Sequence, residues 1–267
     1  VAGRLTIFAK GNADLRDVLV AQRSAGGVAW NGINDVLRAS HPGWRAHVRH
    51  ETFTRSDALL AATGNVPAAL AGRDLPLGAY PVESQFATRL FDAGQAVVAL
   101  SIQPDVMTCL ARHKGDGHLF YPAGVDDWEA TDRAWLAEQY APVPPIEPER
   151  AMANLEALVV RLREAGTTRI LIFNLSPIVP WERIHDHRGL AESLSDRIRR
   201  FNLALNHLSR RTGVSIVDVD GVLARAGAER LKVDALHLTA EGCRLVAAEV
   251  VRILDDLGCF AADRAAA

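Results

Sequence analysis

The sequence predicts a three-layer α/β domain built on a parallel sheet, and two observations carry that prediction. Short apolar runs bounded by turn residues recur along the chain, and stretches with helical apolar spacing fill most of the intervals between them. Alternation of that kind packs helices on both faces of a mainly parallel sheet. At 267 residues the chain can form one large domain with a substantial core.

The elements follow in order. Leu5–Ala9 is the first strand and stops at the turn residues Lys10-Gly11-Asn12. Trp44 to Phe53 carries Ala46, Val48 and Phe53 and reads as a second strand. Ala96–Ile102 is a continuous apolar run broken only by Ser101 and stopped by Pro104, which suits a strand covered on both faces. Arg169–Asn174 and Ser215–Val219 repeat the pattern. Among the helices, Leu155, Leu158, Val159 and Leu162 form one apolar stripe, ended by Gly166. Leu194, Ile198, Phe201, Leu205 and Leu208 recur at alternating steps of four and three before Gly213. The last helix uses Leu245, Val246, Val250, Ile253, Leu254 and Leu257, with Thr239 placed to accept from its first-turn amides. Residues 104–150 break the rhythm with a Trp-bearing segment and the run Pro142-Val143-Pro144-Pro145. They read as an insertion or lid within a single 1–267 domain.

Composition excludes several partners. A formal net charge of -2 supplies no attraction for nucleic acid or an anionic membrane. No apolar stretch approaches the roughly 20 residues of a membrane span. Cys109, Cys243 and Cys259 have neither metal nor redox spacing, and no basic segment followed by a hydrophobic one opens the chain. A cytoplasmic protein is the expectation. Gly26-Gly27 is too short for a nucleotide fingerprint. His185-Asp186-His187 does not by itself establish a metal site, and His41, His47, His50, His113, His118 and His207 show no metal spacing among themselves. No metal or other cofactor is expected.

In an open α/β sheet ligands sit beyond the carboxyl ends of the strands. The loops there hold Lys10–Asp17, Gln103–Thr108, Asn174–Trp181 and the segment Val233–Gly242. In the last of these Asp234 precedes His237 by three residues, close enough for the acid to orient the imidazole as a general base. A capping acid beside a structural histidine has the same spacing.

That Asp-x-x-His block, the following Gly242, and Gly11-Asn12-Ala13-Asp14-Leu15 after the first strand resemble the SGNH, or GDSL-like, hydrolase superfamily. The resemblance implies a flavodoxin-like three-layer α/β/α fold with a mainly parallel five-stranded sheet. It also implies an aspartate and histidine at Asp234 and His237, and a serine nucleophile in the first block. Here Ala13 stands at the serine position and Asn12 beside it. The second block, Glu51 to Asp57, lacks the family's glycine, and Gln103 lies near the position of the family's asparagine.

Alanine cannot form an acyl-enzyme. Three readings follow: a serine-to-alanine substitution in a serine esterase, activation of water or a substrate nucleophile by His237, or a non-catalytic binding protein on a hydrolase scaffold. Under the second, the Ala13 N–H and the Gln103 side chain face the developing oxyanion. The reaction is then hydrolysis or acyl transfer at a small-molecule ester, thioester or amide, free or carrier-bound, in a biosynthetic pathway. Lys10, Asn12, Asn31, Asn34, Arg55 and Asn174 are the candidate substrate-binding residues. Turn formation and helix capping equally account for Asn31 and Asn34, and an exposed lysine beside a turn for Lys10. Ser101 and Ser176 are weaker alternative nucleophiles.

Overall fold

Alternation along β1 (Gly3–Lys10) divides the interior into two cores, with Leu5, Ile7 and Ala9 entering one and Phe8 the other. The computed structural model describes residues 3–24, 27–92, 94, 96–182 and 187–260. After β1 come α1 (Ala13–Leu19), the hairpin strands β2 (Gln22–Ser24) and β3 (Gly27–Trp30), α2 (Ile33–Ser40), β4 (Trp44–Glu51), α3 (Ser56–Ala61) and α4 (Val82–Gln85). Then follow β5 (Val97–Ser101), α5 (Gln103–Met107), β6 (Ala111–His113), β7 (Leu119–Phe120), α6 (Ala130–Gln139) and β8 (Tyr140–Pro142). The remainder is α7 (Pro148–Glu164), β9 (Ile170–Phe173), α8 (Leu194–Thr212), β10 (Ser215–Val217), α9 (Val219–Ala226), α10 (Ala228–Leu231) and α11 (Ala240–Asp256).

The main sheet has the order β10-β9-β5-β1-β4, and every pair in it is parallel. This is the expected three-layer α/β/α fold. The continuous apolar runs occupy its middle: β5 and β9 are buried at every position. Val97, Ala99, Leu171 and Phe173 join the core under α1, α2, α9 and α11, while Val98, Leu100, Ile170 and Ile172 join the core under α7 and α8. Helix ends match their sequence signals. Thr239 Oγ1 accepts from Gly242 N–H at 3.2 Å, and Gly213 closes α8 with φ 71°, a left-handed conformation that glycine adopts without a Cβ clash. Pro104 lies in the first turn of α5, where its missing N–H costs no helical hydrogen bond.

The excursion is larger than the sequence predicts. Strands β7, β6 and β8 form a small antiparallel sheet. Its core joins Phe120, Trp128 and Tyr140 to Leu70, Leu77, Val82 and Phe86. Residues 66–86 therefore pack with 111–140 around a core separate from the two that flank the main sheet, while Leu90, Val106 and Ile146 join the core under α7 and α8. Strands of two or three residues carry too little alternation to be read from sequence.

Strand β4 ends the sheet, so its outer backbone groups need a partner. Asn34 supplies one. Its Nδ2 donates to Ala46 O at 3.0 Å and its Oδ1 accepts from Ala46 N–H at 2.9 Å, as a neighbouring strand would. The expectation that Asn34 touches ligand is corrected here: its amide is spent on the sheet edge. Replacing Asn34 by Ala leaves both groups of Ala46 without this partner and is expected to cost about 1–3 kcal/mol, read as a lower urea midpoint at unchanged slope.

Candidate functional site

Asn12 ends β1's loop and caps α1, and its side chain ties three elements together. The Phe53 backbone N–H donates to Oδ1 at 3.1 Å, and Nδ2 donates to Gln103 Oε1 at 2.7 Å. Because an N–H can only donate, the Phe53 contact fixes which end of the Asn12 amide is oxygen. That places Nδ2 toward Gln103 and leaves Gln103 Nε2 as a donor with no hydrogen-bond partner among the described residues. Both side chains are buried. Gly11 is required by space, since a Cβ there would lie 2.9 Å from Leu15 Cβ. His50 Nε2–H donates to Gly11 O at 2.9 Å, and burial holds its imidazole below the ordinary range, so the neutral ring buttresses the turn.

Asp14, read in the sequence only as part of the first block, makes the next link. Its carboxylate accepts from the Ser101 hydroxyl, and Ser101 Oγ accepts from Gln103 N–H at 2.9 Å, so the first turn and the end of β5 are locked together. Burial pushes the Asp14 carboxyl up, against the opposing effect of the Ser101 hydroxyl. Ser101 is thus fully buried and engaged, not an exposed nucleophile.

The segment after α10 is a closed loop. Val233 N–H donates to His237 O at 2.8 Å and Thr239 N–H to Leu231 O at 2.9 Å. Inside it, Asp234 Oδ1 accepts from the Leu236 and His237 amides at 2.7 and 2.8 Å, while Oδ2 accepts from His237 Nδ1–H at 2.8 Å. Partial burial favours the neutral acid, but the two amides and the imidazole outweigh it and hold Asp234 below the usual carboxylate range. A carboxylate only accepts, so the proton sits on Nδ1 and the Nε2 lone pair is available as a base. The side chains are 53 % and 44 % exposed, so the pair adds little stability and serves to orient the ring. No hydrogen bond joins His237 to the 11–14 turn.

Between these two regions lies a cavity of about 20 Å³, room for one water, lined by Asp14, Asn174, Ser176, Lys232 and Leu236 among others. Lys232 is buried and donates to Ser176 O at 3.1 Å; desolvation pulls its ammonium down to about 8, against the opposing pull of Asp234 and Asp220. Asn174 borders the cavity, but its amide is committed: Nδ2 donates to Asp218 Oδ1 at 2.9 Å and Oδ1 accepts from Asp220 N–H at 3.1 Å. A larger cavity of about 530 Å³ lies in the excursion, lined by Leu110, Tyr121, Val125, Leu136, Tyr140 and Arg188 among others. Tyr121 stacks edge-on against Tyr80, with ring centroids 4.9 Å apart. Burial, then Tyr121 and Asp14, push the Tyr80 phenol up.

Other expected ligand contacts are corrected. Lys10 is not an exposed residue beside a turn; it is buried, donating to Glu51 Oε2 at 3.1 Å and Ser84 O at 3.2 Å. Arg55 is buried in a two-point pair with Asp57, at 2.9 and 2.7 Å, and donates to the Thr108 and Pro144 carbonyls. These buried donors anchor loops. Asn31 donates its backbone N–H to Asp35 at 3.3 Å, and its side chain has no hydrogen bond among the described residues. His185 and Asp186, and Gly26, lie outside the described residues.

A sequence model of the GDSL-like lipase/acylhydrolase family matches residues 36–245. The chain belongs to that family. The match takes in Asp234 and His237 but not the first turn with Ala13. No curated protein matches the sequence. Solved structures similar to this GDSL-like chain include LAE5, an α/β hydrolase from the metagenome of Lake Arreo, Spain, at 17 % identity, TM-score 0.48 and 97 % coverage of each chain. Est24, a carbohydrate acetylesterase from Sinorhizobium meliloti, is 10 % identical with TM-score 0.48, covering 95 % of this chain and 99 % of its own. An inhibitor-bound aryl esterase from M. smegmatis is 13 % identical with TM-score 0.48, covering 96 % and 100 %. The family match, rather than these likenesses, places the chain. Among the described residues no helix is long and apolar enough to cross a membrane.

Lys232 gives the site a pH signature. Its folded value of about 8 lies below the ordinary 10.5, so between those values the unfolded chain binds the extra proton and stability rises with pH. Lys232→Met is expected to remove about one proton from that dependence. Urea midpoints of both proteins from pH 7 to 10.5 check it.

Proposed function

We propose that the protein performs hydrolysis or acyl transfer at a small-molecule ester, thioester or amide, with His237 as general base toward a nucleophile the enzyme does not itself supply. The observation that carries the reading is the Asp234 clamp: three hydrogen bonds to one carboxylate fix the imidazole with Nε2 unencumbered. Nε2 removes the proton from water, or from an alcohol, amine or thiol of a second substrate, as that atom attacks the carbonyl. The tetrahedral oxyanion is received by the Ala13 N–H, a first-turn amide with no intrahelical acceptor, and by Gln103 Nε2. The imidazolium then returns its proton to the leaving group. Transfer between two bound substrates gains most, because fixed proximity replaces the missing covalent step.

The excursion acts as the lid. Its 530 Å³ cavity has the size and largely apolar lining of a small-molecule site, and Tyr121, packed edge-on against Tyr80, forms part of its wall. Asn12 serves as a positioning residue, holding Gln103 so that its amide donor faces away from Asn12. A free or carrier-bound acyl substrate from a biosynthetic pathway fits this arrangement. The three free cysteines accord with a cytoplasmic setting. Ala13 itself favours a second reading, a ligand-binding protein that keeps the hydrolase scaffold.

Turnover of short-chain ester, thioester and amide panels decides between them. His237→Ala and Asp234→Asn are each expected to lower kcat by about 10²- to 10⁴-fold with KM little changed. Equal turnover in wild type and His237→Ala removes the general-base reading. Saturable ligand binding with no turnover in the wild type favours the second.

A further inference from the structure

The turn between β6 and β7 brings three metal-ligating side chains together. His113 and His118 face each other across the hairpin, with His113 N–H donating to His118 O at 2.9 Å. The residues between them, Lys114-Gly115-Asp116-Gly117, fold Asp116 back over both rings. Asp116 Oδ1 lies 2.8 Å from His113 Nδ1 and 2.5 Å from His118 Nδ1. The three donor atoms fall within 4.8 Å of one another. Two glycines make the fold-back possible. Gly117 has φ 79°, and a Cβ on Gly115 would sit 3.0 Å from His113 Cε1.

We propose that His113, Asp116 and His118 bind one divalent transition-metal cation of the zinc type, with at least one coordination position left to solvent. Two imidazole nitrogens and one carboxylate suit zinc and its neighbours, whereas magnesium and calcium call for oxygen donors. The histidines are 14 % and 12 % exposed, which holds their rings in place, and Asp116 is 58 % exposed, which leaves the cation a path from water. His118 also has the outer partner that metal-binding histidines need: its Nε2 lies 2.8 Å from the Tyr140 hydroxyl. With the proton on Nε2 and donated to Tyr140, the His118 Nδ1 lone pair faces Asp116 and the cation. The rings are stacked at 4.7 Å and 18°, and both Nδ1 atoms lie within hydrogen-bond distance of the same Asp116 oxygen. The signal was present in the sequence as His-x-x-Asp-x-His, and counting histidines alone overlooks it.

Tyr140 begins β8 and also lines the 530 Å³ cavity. The cation therefore clamps the turn to β8 and stiffens one wall of the lid, a structural role separate from the chemistry at His237. Chelator-treated full-length protein titrated calorimetrically with ZnCl2 tests this, with MgCl2 as the contrast and circular dichroism confirming that each variant is folded. The expected result is one zinc site per chain that is lost in His113→Gln/His118→Gln, together with a zinc-dependent rise in Tm that the double variant does not show. Asp116→Asn and Tyr140→Phe are each expected to weaken zinc binding about 10- to 100-fold, and magnesium to give no binding. Absence of zinc binding by the wild type, or the same stoichiometry and affinity in the folded variants, overturns the proposal.

Discussion

Parallel strands must release their carboxyl ends along one edge, and the polar groups of the candidate site hang from that edge. β1 delivers Asn12 and Asp14 there, β5 delivers Ser101 and Gln103, and β9 delivers Asn174. The sheet fixes where these ends emerge, but buried polar side chains fix how they meet. Asn12 is the hinge of that arrangement, because its amide both accepts from Phe53 and donates to Gln103. An aspartate could make the first bond and not the second. Asn174 plays a similar part further along, binding the end of β9 to Asp218 and Asp220.

Legibility in the sequence followed burial. β5 and β9 are covered on both faces, so their apolar runs were unbroken enough to announce strands, and α8 and α11 showed their stripes because each buries one face. The hairpin β2–β3 and the small sheet of the excursion have strands too short for a period, and residues 66–86 pack through scattered apolar contacts. Within the site, Asp234 and His237 were visible because only two residues separate them. Asn12 and Gln103 meet across 91 positions, which no local pattern encodes. Charge misled in the opposite direction. Lys10 ends β1 and Arg55 follows β4, yet each is buried in an ion pair that holds a loop. Asp14 and Lys232 look ordinary in sequence, and only desolvation in their shared cavity sets them apart.

Ala13 decides which nucleophile the proposed mechanism uses. In the first turn Gly11 packs on Leu15 and α1 begins at Ala13, whose side chain has no atom that can attack a carbonyl. The Asp234–His237 pair is too exposed for stability to explain its three-point clamp. An oriented base without an enzyme nucleophile is best matched to a nucleophile that arrives with the substrate or from water. In that proposal the cavity of about 530 Å³ in the excursion holds such a partner.

The central claim is direct attack without a covalent intermediate, and rapid mixing of the protein with an activated acyl ester, followed by intact-mass analysis, tests it. The account predicts a product time course with no burst and an enzyme mass unchanged through turnover. A burst of one equivalent accompanied by an acylated protein on the reaction pathway would contradict it and point to a nucleophile elsewhere in the chain.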